Sequence, residues 1–226
     1  MGMTAIVAGG TGLVGRELIG LLLEDSAYDQ VIALVRKNIQ VSHLRGNEKL
    51  VQIVTDYSNL DAIIEPSVME HAHVFCTLGT TIKKAGSQEQ FRKVDLEYPI
   101  KLGEIASQGK ADAFAIVTAM GASRTSSIFY NRVKGEVEQG LKALNLRALY
   151  MLRPSLILGD RDEVRVGEKL GSLVSRAISP LLIGRLRTYR PIHAKIIATG
   201  LIKSAKSGQA GAHVLLSAQI AELAAK

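Results

Sequence analysis

The chain has 226 residues, a single cysteine, no tryptophan and a net charge of +7 at neutral pH. That length suits one α/β domain with a sizeable core and argues against two full domains. One thiol excludes an internal disulfide and agrees with a reducing compartment. The cations are dispersed and aromatics make up only 4% of residues, too few for the stacking platform of a nucleic-acid binder. No stretch approaches the roughly 20 apolar residues of a membrane span.

The N-terminus has no basic region before its apolar stretch, and Ile6 stands where a myristoylation motif wants Ser or Thr. Neither export nor lipidation is therefore signalled, and a cytoplasmic location is expected. The expected partner is a small-molecule substrate, with no nucleic acid, membrane or metal site. A protein partner stays open, as does the choice between monomer and homodimer.

In chain order, the apolar patterning predicts a strand over 4–8, a helix over 12–25, and strands over 31–35 and 50–54. A short helix near 58–65 ends at Pro66, followed by a strand over 73–77 and a long helix over 88–108. A strand over 113–118, a helix over 128–145 and a strand over 147–152 complete the alternation. Such alternation predicts a Rossmann-type, doubly wound parallel sheet with helices on both faces. The whole of 1–226 reads as one such domain, with 154–226 contributing a small substrate-side lobe.

The first strand, turn and helix carry the strongest motif, TAIVAGGTGLVGRELI from Thr4 to Ile19. Gly9, Gly12 and Gly15, and equally Gly10, Gly12 and Gly15, match phosphate-binding spacings in which the backbone approaches the ligand and the helix packs on its strand. The start of a helix carries roughly half a positive charge, which favours a pyrophosphate there.

Twenty-one residues past Gly15, where a carboxylate would take the ribose hydroxyls of NAD, the chain has Arg36 and then Lys37. A planar guanidinium grips a 2′-phosphate and a carboxylate would repel it, so NADPH is the expected cofactor. Asp56 and Tyr57 follow the third strand, where an adenine contact is expected of the pair, and a helix cap is equally open to Asp56. Leu78, Gly79 and Thr80 follow the next strand and belong to the same crevice.

Tyr130 and Lys134 lie four residues apart on one predicted helix and so share a face. A tyrosine with an ordinary pKa near 10 is a poor proton donor at neutral pH, and a neighbouring ammonium stabilises its phenolate. Thr118 ends the preceding strand, twelve residues before Tyr130, where its hydroxyl would steady a developing oxyanion.

With these residues in place, the sequence resembles the short-chain dehydrogenase/reductase superfamily, in the atypical branch that contains the HIV Tat-interacting-protein-like oxidoreductases. The matching pieces cover most of the chain: GGTGLVG at 9–15, Arg36-Lys37, CTLGTT at 76–81, KAG at 84–86, VD at 94–95, YNRVKGEVE at 130–138 and RPSLILGDR at 153–161. The resemblance implies NADPH held by Thr11, Gly12, Leu13 and Val14, with Arg36 and Lys37 on the 2′-phosphate and Leu78 and Gly79 beside the adenosine half. It implies Tyr130 as proton donor or acceptor, Lys134 as its partner and ribose ligand, and Ile157 and Arg165 as further cofactor contacts. Thr118 departs from the usual catalytic serine, and Ala119 follows it where relatives carry a second serine.

From Ser155 onward the chain is expected to cover the nicotinamide end, with Gly159 to Gly171 as a mobile cover and His193 opening a helix. Arg185, Arg187, Arg190 and Lys195 suit either an anionic substrate or an ordinary solvated face. The leading expectation is an NADPH-dependent reductase of a carbonyl or activated double bond. The alternatives are an NADP(H)-sensing regulatory or scaffold protein and, less favoured, a sugar-nucleotide epimerase.

Overall fold

In strand β1 (Met3–Ala8), Ala5 and Val7 enter one hydrophobic core while Ile6 and Ala8 enter another. Side chains alternate across a strand, so a run apolar at every position can only be satisfied by a sheet covered on both faces. The computed structural model, which describes residues 2–42, 44–159 and 184–226, shows that arrangement.

Among the described residues β1 is joined by β2 (Tyr28–Val35), β3 (Leu50–Val54), β4 (His73–Cys76), β5 (Ala113–Val117) and β6 (Ala148–Arg153). The order across the sheet is β3-β2-β1-β4-β5-β6 with β9 (Gly211–Leu216) beyond, and every pairing is parallel. The order reverses between β1 and β4. Chain leaving those two strands diverges, and a crevice opens beyond their carboxyl ends.

Helix α1 (Leu13–Glu24) buries Leu18, Ile19, Leu22 and Leu23 on one face of the sheet, each worth about 1.5–3 kcal/mol of burial. Short α2 (Leu60–Ile63) and α3 (Ile82–Ala85) lead to the opposite face, which is covered by α4 (Gln88–Arg92), α5 (Tyr98–Gln108) and α6 (Phe129–Lys142). Between α4 and α5 the chain makes one wide π turn at Lys93–Glu97, so the helix expected over 88–108 is continuous but changes phase.

The C-terminal part differs from expectation. Helix α7 (Ala194–Ser207) packs on α1, and β9 pairs with β6 from Ala148↔Gly211 to Arg153↔Leu216 before α8 (Ser217–Ala225) returns over the sheet. Much of the stretch assigned to a substrate lobe therefore completes the Rossmann body. Outside the main sheet lies a small parallel pair, β7 (Ile157–Leu158) with β8 (Ile192–His193). His193 occupies the N-cap of α7, as the sequence predicts.

At the amino edge of the sheet, His71, Lys110 and Asn145 take φ values of 54°, 56° and 50° in the turns entering β4, β5 and β6. Below the same edge Tyr28 and His73 meet in the core, hydroxyl to Nδ1 at 2.8 Å.

Candidate active site

The glycine corner is a cradle that side chains would fill. Gly9 has φ +88°, and a Cβ there would lie 2.6 Å from the Thr77 carbonyl carbon; a Cβ on Gly15 would lie 2.2 Å from the Gly9 oxygen. Gly12 is the N-cap of α1, no side chain caps that end, and its first turn holds no carboxylate. Backbone N–H groups and the positive end of the helix thus face the crevice without a competing anion, which fits a dinucleotide pyrophosphate.

Tyr57 lies beneath this corner, not on the adenine side expected for it. Its hydroxyl accepts from the Gly9 N–H at 3.1 Å and donates to the Leu34 carbonyl at 2.5 Å, tying the corner to β2. The ring is 4% exposed and stacks on Tyr98 at 5.7 Å. Its backbone has φ 69°, a costly conformation for a bulky residue and a mark of a position fixed by its surroundings. Burial pushes the hydroxyl up to about 12, so it stays a donor.

Asp56 is exposed and folds back on Ser58, accepting from its hydroxyl at 2.6 Å and its N–H at 2.9 Å. Those bonds, the hydroxyl's first, hold the carboxyl below its usual range. It does not cap a helix, because α2 begins two residues beyond Ser58 with Asn59 at its N-cap.

Arg36 and Lys37 are exposed immediately past the end of β2. A cleft of about 740 Å³ opens beside Lys37, lined by Thr11, Arg16, Glu17, Lys37 and Asn38 among others. Sequence reading passed over Arg16, although a cation four residues after Gly12 returns to the same end of α1. Leu78 is buried, Gly79 exposed and Thr80 half-buried at the carboxyl end of β4. Ile157 packs on the core from β7, and a Cβ on Gly159 would lie 2.8 Å from Leu13, which sets this segment against the first turn of α1. Arg165 and most of the cover expected over 159–171 lie outside the described residues.

The chemistry-bearing face of α6 is built on four-residue steps. Tyr130, 39% exposed, sits at the start of the helix with its ring edge on Phe91 at 5.9 Å. One turn on, Lys134 is 3% exposed, with Nζ 2.8 Å from Oδ1 of the buried Asp95. Burial alone would push this amine toward neutrality, but the Asp95 carboxylate, with Tyr130 beside it, outweighs that and holds its pKa above the ordinary lysine value. One further turn on, Glu138 takes both Nε and Nη2 of Arg153, at 2.9 and 2.5 Å.

Thr118 corrects the sequence reading. Its hydroxyl donates to Glu138 Oε1 at 2.7 Å and the residue is 3% exposed, so the group expected on a substrate oxygen is bound to a buried carboxylate. The sequence by itself assigns no role to Asp95, Glu138 or Arg153. The periodic signal was present in the spacing Tyr130, Lys134, Glu138, but nothing in one sequence tells which partner a buried acid meets.

A parallel sheet with its reversal at a glycine cradle, an uncapped helix start and a paired lysine one turn behind a tyrosine together define a nicotinamide-dinucleotide-binding Rossmann protein. The chain belongs to the NAD(P)H-binding family, whose sequence profile matches residues 9–179, and within it to the atypical short-chain dehydrogenase/reductase-like proteins. Protein HTATIP2 of Rattus norvegicus is 34% identical over 167 residues, covering 74% of this chain and 68% of its own. Protein FMP52, mitochondrial, of Eremothecium gossypii is 33% identical over 188 residues, covering 80% and 81%. Among solved structures, a UDP-Glc/GlcNAc 4-epimerase from Campylobacter jejuni superposes with a TM-score of 0.69 at 12% identity, covering 98% of this chain and 82% of that one. That last likeness is one of fold.

The expected cytoplasmic location is overturned by these relatives, since several fungal ones are named as mitochondrial. Among the described residues no helix is long and apolar enough to cross a membrane.

Proposed function

We propose that this protein is an NADPH-dependent oxidoreductase acting on a carbonyl or an activated double bond. The observation that carries the reading is the α6 pair: a half-exposed phenol directly over a buried, charged lysine. When bound, the nicotinamide supplies the hydride. Tyr130 gives its proton to the substrate atom that becomes electron-rich, and Lys134 stabilises the phenolate left behind while it holds the nicotinamide ribose. Arg36 and Lys37, with Thr11 beside the cleft, take the 2′-phosphate; Leu78 to Thr80 border the adenosine half. Ile157 packs on the core, and Gly159 is set against Leu13 beside the corner.

The test is Tyr130→Phe, followed by NADPH fluorescence and by NADPH oxidation with a panel of aldehydes, ketones and enones. Nucleotide affinity stays within about threefold of the parent while turnover drops by at least about a hundredfold, the scale of a lost general acid. Unchanged turnover in that variant discards the mechanism.

A second reading, a sensor of NADP(H) with little turnover, is favoured by one observation: the Thr118 hydroxyl is committed to Glu138. It predicts tight NADPH binding with no oxidation of the nucleotide across the panel. The epimerase reading draws only on the shared fold of longer proteins.

A further inference from the structure

Asp95 stands between two parts of the crevice that the sequence keeps 54 residues apart, Thr80 and Lys134. One oxygen, Oδ1, lies 2.8 Å from Lys134 Nζ, and the other, Oδ2, accepts the Thr80 N–H at 2.9 Å. Both charged side chains are all but fully buried, at 4% and 1% exposure. The residue comes from the wide π turn of Lys93–Glu97, an irregularity that re-aims side chains and is frequent at functional positions.

We propose that Asp95 is a positioning residue that couples the two ends of the nucleotide crevice, fixing Lys134 at the nicotinamide end with one oxygen and the Leu78–Thr80 turn at the adenosine end with the other. The proposal rests on the reading above that Lys134 serves the nicotinamide ribose. Its physical basis is the cost of burial. An ammonium alone in this interior would shed its proton, and the carboxylate 2.8 Å away opposes that. The titratable groups that act on Lys134 are Asp95 from the π turn, Tyr130 on its own helix and Cys76 from β4. Burial pushes the Cys76 thiol up to about 12, so it brings no charge, and Glu138 is taken by Arg153 and Thr118. Asp95 is therefore the carboxylate that holds Lys134.

The experiment compares Asp95→Asn, Asp95→Glu, Lys134→Gln and the Asp95→Asn/Lys134→Gln double variant in the full chain. First, without nucleotide, ¹³Cε-lysine spectra are titrated with pH, and the Lys134 signal is assigned by its loss in Lys134→Gln. In the parent Lys134 keeps its proton to higher pH than the exposed lysines; in Asp95→Asn it loses it at lower pH than they do. Identical titration in the two proteins overturns the proposal. Second, NADPH affinity is read from nucleotide fluorescence. Asp95→Asn weakens it about tenfold, Asp95→Glu recovers it to within about threefold, and adding Asp95→Asn to Lys134→Gln changes it by less than about twofold. A tenfold loss in the Lys134→Gln background overturns the proposal, because Asp95 would then act without the lysine. If Asp95→Asn does not fold, Lys134→Gln against the double variant, which carries an uncharged amide pair, decides the same question. A parent that binds neither NADPH nor NADH fells the functional reading, while the lysine titration still decides whether Asp95 holds Lys134.

Discussion

Thr118 at the end of β5 and Glu138 in the third turn of α6 share a hydrogen bond of 2.7 Å, and Arg153 from the end of β6 closes on the same carboxylate. Two neighbouring strand ends are thereby pinned to the helix that carries Tyr130. Replacing Thr118 by Val removes a donor to a buried charge and should cost about 1–3 kcal/mol in denaturant unfolding. Turnover should fall by less than about threefold, whereas loss of an oxyanion donor would cost 10²–10³. A drop of that larger size would return Thr118 to the substrate.

Two glycines on the same helix should respond in opposite ways to alanine. At Gly15 the new methyl meets the Gly9 oxygen at 2.2 Å, and the corner must open; at Gly20 nothing lies within 4 Å. Gly15→Ala should cost about 3 kcal/mol and abolish nucleotide binding. Gly20→Ala should gain about 0.5–1 kcal/mol, the helix-interior difference between the two residues. Thermal melts with and without NADPH read both.

Arg36→Asp should weaken NADPH by about a hundredfold, the scale of losing a charge-assisted contact and gaining a repulsion, while NADH changes only a few-fold. Fluorescence titration with both nucleotides checks it; equal losses would place the 2′-phosphate elsewhere.

Tyr57→Phe removes the hydroxyl that bridges Gly9 and Leu34. We expect about 1–3 kcal/mol of lost stability in urea, and weaker NADPH binding because the corner is no longer tied to β2. Unchanged affinity would show that the corner holds its shape by sterics alone.

His73 sets a dependence on pH. Burial, the largest influence, holds its pKa below the ordinary 6.5, so between the folded value and 6.5 the unfolded chain binds more protons. Stability then rises with pH in that window and is lost as pH falls below about 6.5. The melting temperature should decline from pH 7 to pH 5.5, above the range where carboxylates titrate. In a Tyr28→Phe/His73→Leu variant, which leaves no hydroxyl unpaired, that slope should flatten.

Much of the crevice was legible because its determinants are local. The glycines, the two cations after β2 and the four-residue step from Tyr130 to Lys134 can each be read from adjacent positions. What escaped depends on chain brought together from afar: Tyr57 under Gly9, Asp95 on Lys134, Thr118 on Glu138. A tyrosine after a strand reads the same whether it meets a base or a backbone carbonyl. β9 was passed over for a related reason. Its sequence, GAHVLL, opens on a glycine, an alanine and a histidine, and it becomes a strand by pairing with β6.

The three left-handed turns at His71, Lys110 and Asn145 all lie at the amino ends of the strands, away from the crevice. Tight exposed turns of this kind are where a chain accepts foreign sequence. A fluorescent reporter grafted there would leave the nucleotide crevice undisturbed, whereas the same graft after β1, β4 or β5 would obstruct it. The molecule thus has a rim available for engineering and another that is closed to it.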